Sequence, residues 1–219
     1  MKTNTMKSDF SSNRAAQLAR IAMFASLAAL TACSAFKEPV RPAVYDFGPP
    51  PAESAPPAAD AADAKLPPIA LADVDANQTL DSTAVLYRLA YANDQQLRPY
   101  ALARWSATPA DLVRQRLRER LTRQRPILAP LSSGADLTLR IELDEFSQVF
   151  DAPSKSVGLV RLTATLSKSG PSGDAPVAQR NIVVQRPATT PDAAGGVNAL
   201  AAATDAAADD IAKWLKGLR

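Results

Sequence analysis

The distribution of proline restricts where this chain of 219 residues can fold. Nine of its 18 prolines lie between Pro39 and Pro68, in a stretch of Ala, Pro, Asp and Glu that includes three consecutive prolines at 49–51. Proline lacks the backbone N–H that helices and central strands require, and this composition cannot bury an apolar core. We therefore predict a tether up to residue 43, an edge strand at 44–48 and a disordered loop at 49–66, followed by the main part of one domain.

The absence of histidine excludes most familiar enzyme chemistry. Imidazole is the usual base and nitrogen ligand at neutral pH, so neither a Ser-His-Asp or Cys-His relay nor the common His-containing metal sites can form. The alternative is a hydrolase that uses only Ser, Lys and carboxylates, but the one Ser-x-x-Lys sequence, at residues 34–37, lies in the predicted tether and not in the predicted domain. We expect a protein that is not an enzyme, with no metal and no cofactor.

The first 32 residues have the three parts of an export signal. Residues 1–20 contain four basic residues (Lys2, Lys7, Arg14 and Arg20) and one acidic residue, Asp9. The uncharged apolar run 21–30 follows. A permanent transmembrane helix needs about 20 apolar residues, so this run is too short to span a membrane and is typical of a signal peptide.

The tetrapeptide that ends the apolar run resembles the bacterial lipobox. It reads Leu-Thr-Ala-Cys and ends in Cys33, the one cysteine of the chain. The resemblance implies a signal peptide at 1–32, cleavage before Cys33, and a lipidated tether at 33–43 whose cysteine carries diacylglycerol and an N-acyl chain such as palmitate. The alternative is an ordinary signal peptide that ends beside a chance cysteine. Acyl chains contribute about 0.8 kcal/mol per buried methylene, so two or three of them anchor a protein durably.

Two further features bear on location and partners. Ser34 stands where an aspartate would imply retention in the inner membrane, so the lipoprotein sorting pattern implies the periplasmic face of the outer membrane of a Gram-negative bacterium. The formal charge of +3 comes almost wholly from the signal, since 21 basic and 21 acidic residues remain after residue 32. A basic balance therefore gives no support to a nucleic-acid partner.

Periodicity after residue 66 predicts a two-layer α+β domain. Thr108-Pro109-Ala110-Asp111 is typical of a helix N-terminus and predicts a helix to about Arg125, before Pro126; Thr190-Pro191-Asp192 opens a second helix in the same way. Apolar alternation predicts strands near 69–74, 85–91, 98–105, 137–150, 160–166 and 179–186, the last three as an antiparallel meander. We predict a mainly antiparallel sheet of about four to six strands with both helices on one face.

The first predicted helix carries six arginines: Arg114, Arg116, Arg118, Arg120, Arg123 and Arg125. We interpret them as a solvated face whose side-chain stems cover the edge of the core; the alternative is contact with an acidic partner or lipid headgroups. Trp214, in the second helix, is interpreted as packing at the edge of the core, with a binding role as the alternative.

Several segments resemble the ABC-type transport auxiliary lipoprotein family. They are Tyr87-Arg88-Leu89-Ala90-Tyr91, the segment from Tyr100 to Trp105, Pro109 at a helix start, Tyr45-Asp46-Phe47-Gly48-Pro49, the segment 146–151, and the final helix with Trp214. The resemblance implies that 44–219 is one domain of this family. The long loop at 49–66 departs from the family pattern and leaves open whether Tyr45 to Phe47 pair with the sheet.

The resemblance implies a non-enzymatic accessory subunit that docks to a periplasmic MCE-domain protein. Through that protein it would serve an ABC permease and ATPase that move phospholipid or another hydrophobic solute between the two membranes. Tyr87, Arg88, Arg104 and Trp105 are the docking candidates, because Arg and Trp are preferred interface anchors; the alternative is an internal Arg–carboxylate pair and a core tryptophan. Homo-oligomerisation stays open. The rival function is an outer-membrane lipoprotein that activates a cell-wall (peptidoglycan) synthase.

Overall fold

The computed structural model describes residues 40–49, 66–130, 132, 134–170 and 173–218. The predicted signal peptide, Cys33 and most of the predicted loop at 49–66 lie outside these residues. The helices and strands of the described residues all lie in the compact unit Pro42–Arg219. Within the described residues, no helix combines the length and the apolar character that crossing a membrane requires.

The described part of the chain forms eight strands and two α-helices. In chain order they are β1 (Ala43–Tyr45), β2 (Ile69–Ala76), β3 (Ala84–Leu89), β4 (Asn93–Trp105), α1 (Pro109–Leu121), β5 (Ile127–Leu128), β6 (Leu137–Ala152), β7 (Lys155–Gly170), β8 (Gly173–Pro187) and α2 (Ala193–Gly217). A short 3-10 helix, Gln78–Leu80, precedes β3. The α+β class is as predicted.

All eight strands belong to one mixed sheet organised around β6. Along one edge, β6 pairs antiparallel with β7, which pairs antiparallel with β8, so the predicted meander is confirmed. Along its other edge, β6 pairs in parallel with β2 and then with β3, which forms a hairpin with β4. The short strands β1 and β5 pair in parallel with β4 and β2.

The prediction of a mainly antiparallel sheet of four to six strands therefore needs correction. The sheet has more strands among the described residues and is partly parallel. The chain passes from β3 through β4 and α1 before it enters β6, and this crossover brings β6 back in the direction of β2 and β3. Apolar alternation identifies strands and their buried face but carries no information on the direction of a neighbour.

One face of the sheet is buried by α2, which packs on β6, β7 and β8, while α1 packs on β2 and on α2. The fully buried large side chains include Trp105, Phe146, Leu139, Ile141 and Leu200. Trp214 is half-buried and packs against this core, as predicted. The opposite face of β6 to β8 is lined by polar side chains, among which Thr163 contacts Asp144 and Asn181.

Helix α2 rests directly on the backbone of β7 at Gly158. A Cβ placed there would lie 2.6 Å from the carbonyl carbon of Ala199 and 2.6 Å from the nitrogen of Leu200. Glycine is therefore required at this position by the close approach of helix and strand.

Candidate functional site

The β3–β4 hairpin carries three of the four tyrosines of the chain, Tyr87, Tyr91 and Tyr100, which we call the tyrosine cluster. The ring centroids of Tyr87 and Tyr100 are 4.5 Å apart, and that of Phe150 is 6.1 Å from Tyr87. Tyr87 and Tyr100 are half-buried, whereas Tyr91 is 47% exposed and its N–H donates to the carbonyl of Phe150. Tyr87 and Tyr100 therefore present aromatic surface that is already held in place, and Tyr91 is exposed in the turn that follows β3.

A network of buried hydrogen bonds holds Tyr100 of the tyrosine cluster in place. The hydroxyl of Tyr100 donates to Oε1 of Gln148 at 2.8 Å, and Nε2 of the fully buried Gln148 donates to Oγ of Ser156 at 2.8 Å. Burial, then the neighbouring Tyr87 and Asp192, raise the pKa of Tyr100 to about 12. Tyr100 is thus a neutral donor at any physiological pH, and its ring is held in one orientation.

A cation lies beside these rings. Arg98 on β4 is directly opposite Tyr87 on β3, so both side chains are on the same face of the hairpin. The Arg98 guanidinium donates to Oε1 of Gln96, and its buried Nε has no hydrogen-bond partner within the residues that the structure describes. Arg98 was not among the sequence candidates; the signal that could have found it is the density of tyrosine around it.

The structure brings Arg88 into the internal pair that the sequence left open as an alternative. Arg88 Nη2 lies 3.0 Å from Oε2 of Glu145, its Nε donates to Oε1 at 3.3 Å, and its Nη1 donates to the carbonyl of Asp94. The hydroxyl of Ser147 also donates to Glu145. Because Arg88 follows Tyr87 on β3, its side chain lies on the opposite face of the sheet.

The two remaining candidates have different environments. Arg104 is exposed on β4 beside Val44 of β1, and both Val44 and Leu102 are more than half exposed. Trp105 is only 1% exposed and makes an edge-to-face contact with Phe47. It is a core residue, and it takes no part in the docking surface proposed below.

The arginines of α1 do not all form a solvated face, so this interpretation is wrong for part of the helix. Arg116 is 3% exposed; its Nη2 donates to the carbonyls of Phe47 at 2.7 Å and Gly48 at 3.0 Å, and its Nη1 lies 3.4 Å from Asp205 of α2. Arg120 reaches the same carboxylate with its Nε at 3.5 Å. We call Arg116, Arg120 and Asp205 the arginine bridge, because they join α1 to α2 and to the chain after β1.

The structure of the same region shows whether Tyr45 to Phe47 pair with the sheet. Tyr45 is opposite Trp105 in the parallel pair of β1 and β4, so the block begins on the sheet. Phe47 follows the strand and lies under the Arg116 guanidinium, 5.6 Å from the ring centroid. Within the described residues, no group of three or more carboxylates or cysteines is placed to hold a metal ion.

The fold defines a class of α+β domain that recurs in solved structures. The crystal structure of protein XCC0632 from Xanthomonas campestris is similar with a TM-score of 0.60 and 21% identity, over 69% of this chain and 85% of that one. A crystal structure of an uncharacterized protein has a TM-score of 0.56 and 16% identity, over 68% and 92%. At these identities the likeness concerns the fold. The search of curated proteins found no match.

The family is given by the sequence match. Residues 45–212 match the family model described as the ABC-type transport auxiliary lipoprotein component. The chain therefore belongs to this family, and it is a membrane-anchored bacterial lipoprotein associated with a transport system. The resemblance drawn from the sequence is confirmed.

Proposed function

We propose that this protein is the lipid-anchored accessory subunit of an MCE-type ABC transport system. It docks to the periplasmic MCE-domain protein and, through it, serves the permease and ATPase that move phospholipid or another hydrophobic solute between the inner and outer membranes. It performs no catalysis and needs no cofactor. The observation that carries the proposal is the family match over 45–212.

The anchor is the lipid on Cys33, and Ser34 favours the periplasmic face of the outer membrane. Ten residues, 33–42, precede the start of β1 at Ala43, and ten residues in polyproline geometry would span about 30 Å at about 3.1 Å per residue. Such a tether keeps the domain close to the membrane while it reaches a partner.

The docking surface is the tyrosine cluster with Arg98. Tyrosine and arginine are enriched among the residues that contribute most to interface affinity. The rings of Tyr87 and Tyr100 are already held by each other and by Gln148, so binding orders few side chains and loses little entropy. Arg88 supports this surface from the opposite face through Glu145, and Arg104 with Val44 and Leu102 forms a second exposed patch at the β1 edge.

A crosslinking experiment in intact envelopes tests the docking surface. A photo-crosslinking residue replaces Tyr91 at its exposed position, and the control replaces Glu142, which is exposed on the polar face of β6. We expect the Tyr91 probe to crosslink to an MCE-domain protein, the Glu142 probe not to, and Tyr87→Ala to reduce the recovered MCE protein about tenfold or more, as for an interface anchor. Recovery of a peptidoglycan synthase and no MCE protein would establish the rival function instead.

The anchoring part has its own test. Cys33→Ala should leave the protein unlipidated and absent from the outer-membrane fraction, while Cys33→Ala and wild-type domains unfold alike in urea. Unchanged recovery of the variant in the outer-membrane fraction would contradict the proposed lipid anchor.

A further inference from the structure

Strand β8 is the edge of the sheet on the side away from β1. It pairs with β7 from Pro187 to Gly173, and no strand of the described part of the chain pairs with its other edge. Between Ala178 and Arg186 it contains no proline and pairs without a register shift, since the one shift lies at Val177. This stretch of nine residues therefore has regular backbone geometry along its free side, a feature that natural sheets usually protect.

A groove runs between this edge and α2. It has a volume of about 270 Å³ and is lined by Val183 to Arg186 of β8 and by Ala206, Asp209, Asp210 and Lys213 of α2. A strand added to β8 would continue the sheet beside α2, so every second side chain of the added strand would point to the helix side and into the groove.

The helix side of the β8 edge has an excess of positive charge. Arg180 pairs in register with the buried Ala164 and Arg186 with Gly158, which α2 covers, so both arginines face the helix side. None of the ion pairs within the described residues involves Arg180, Arg186 or Lys213.

The acidic groups beside this edge do not balance these cations. Asp209 is already engaged by Arg120, whose Nη2 lies 3.4 Å from Oδ2. This leaves Asp210 as the carboxylate of the groove without an ion pair among the described residues. Two cations of the groove, Arg186 and Lys213, therefore stand against one uncommitted carboxylate, and Arg180 adds a third cation further along the edge.

We propose that the β8 edge binds an extended acidic segment of another protein by β-strand addition. The backbone of the segment pairs with the free side of Ala178 to Arg186, and its Asp or Glu side chains at alternate positions meet Arg180 and Arg186. Main-chain pairing supplies affinity and the alternate side chains supply selectivity. The proposal does not depend on which transport partner occupies the tyrosine cluster.

Two synthetic peptides test it on the full lipidated protein in detergent micelles. One ten-residue peptide alternates threonine with glutamate, and its counterpart alternates threonine with lysine. We expect the glutamate peptide to bind about fivefold or more tightly than the lysine peptide by calorimetry, since opposite charges across paired strands attract. It should also slow amide hydrogen exchange at alternate residues of Ala178 to Arg186.

A charge reversal on the edge, with a matched control, sharpens the test. Arg180→Glu should abolish or invert the preference between the two peptides, whereas Arg161→Glu should leave it unchanged, because Arg161 is exposed on the opposite face of β7. Equal affinities of the two peptides for the wild-type protein would overturn the proposal even if a variant failed to fold. So would protection of the edge that grows with protein concentration and needs no peptide, since a second copy of the chain would then occupy it.

Discussion

Replacement of Arg116 by methionine tests whether the arginine bridge holds the domain together. Methionine keeps the length and much of the volume of the side chain but removes the charge and all five donors. The carbonyls of Phe47 and Gly48, at 2.7 and 3.0 Å from Nη2, lose a charged donor, and Asp205 loses the guanidinium at 3.4 Å.

The expected loss in the free energy of unfolding depends on which partners Asp205 keeps when Arg116 is replaced. Removing one partner of a buried ion pair typically costs about 3–5 kcal/mol, because the other charge is left buried and unpaired. Here Asp205 keeps the Nε of Arg120 at 3.5 Å, so we expect the lower end, about 3 kcal/mol. For a domain of this size each 1 kcal/mol lowers Tm by about 2–4 °C, which predicts a loss of roughly 6–12 °C.

Urea unfolding followed by far-ultraviolet circular dichroism measures this loss. The matched control is Arg118→Met, two residues along the same helix, where the side chain is partly exposed and has no ion pair within the described residues. The control should stay within about 0.5 kcal/mol of wild type, as surface substitutions usually do. A loss of less than about 1 kcal/mol for Arg116→Met would refute the assigned role of the bridge, since it is well below the range for a buried pair.

Three further predictions concern the tyrosine cluster and α2. The pKa of Tyr100 is raised from 10.0 to about 12. Its contribution to the free energy of unfolding is therefore complete below pH 10 and is lost as the pH rises through 12. In a pH titration followed by phenolate absorbance, wild type and Tyr100→Phe should differ by one group that titrates near 12 and not near 10. Asp192 accepts from the Gly195 N–H at 2.8 Å as the N-cap of α2, and Asp192→Ala should reduce the free energy of unfolding by about 1 kcal/mol in urea. Gly158→Ala must push α2 off β7 and should cost about 1–3 kcal/mol, measured in the same way; an unchanged midpoint would mean that the helix shifts freely.

N-cap residues and the periodicity of apolar residues predicted the helices and strands, because the interactions that start these elements are local in sequence. Helix α1 begins at Pro109 with Thr108 as its N-cap, whose hydroxyl accepts from the Asp111 N–H at 3.3 Å. Helix α2 starts two residues later than the same pattern predicted, because its N-cap is Asp192 and not Thr190. The end of α1 was predicted less well, since it stops at Leu121 and residues 122–125 form turns. The last four residues before a proline can be helical or non-helical with little difference in free energy, and tertiary packing decides which conformation they adopt.

The environment of each arginine and tryptophan could not be predicted in the same way, because the partners are far apart in sequence. Arg88 and its partner Glu145 are 57 residues apart in sequence, and Arg116 and Phe47 are 69 residues apart. An arginine on an amphipathic helix has the same sequence signature whether it faces water or a buried carboxylate. The sequence pattern therefore predicted the helix and its charge but not the arginine bridge. It left open whether Trp105 is a docking residue or a core residue, and the structure places its side chain in the core.

The β1 and β8 edges of the sheet differ in how they are stabilised. Strand β1 pairs over only three residues, at the point where the proposed lipid tether enters the domain, and so it would fray readily on its own. Arg116 binds the carbonyls immediately after β1 and is itself tied to α2 through Asp205, so a pull on the tether is shared between both helices. Strand β8, at the other edge, has a long ladder to β7 and needs no such support. Its free side can therefore accept a partner strand while the arginine bridge holds the tethered edge in place.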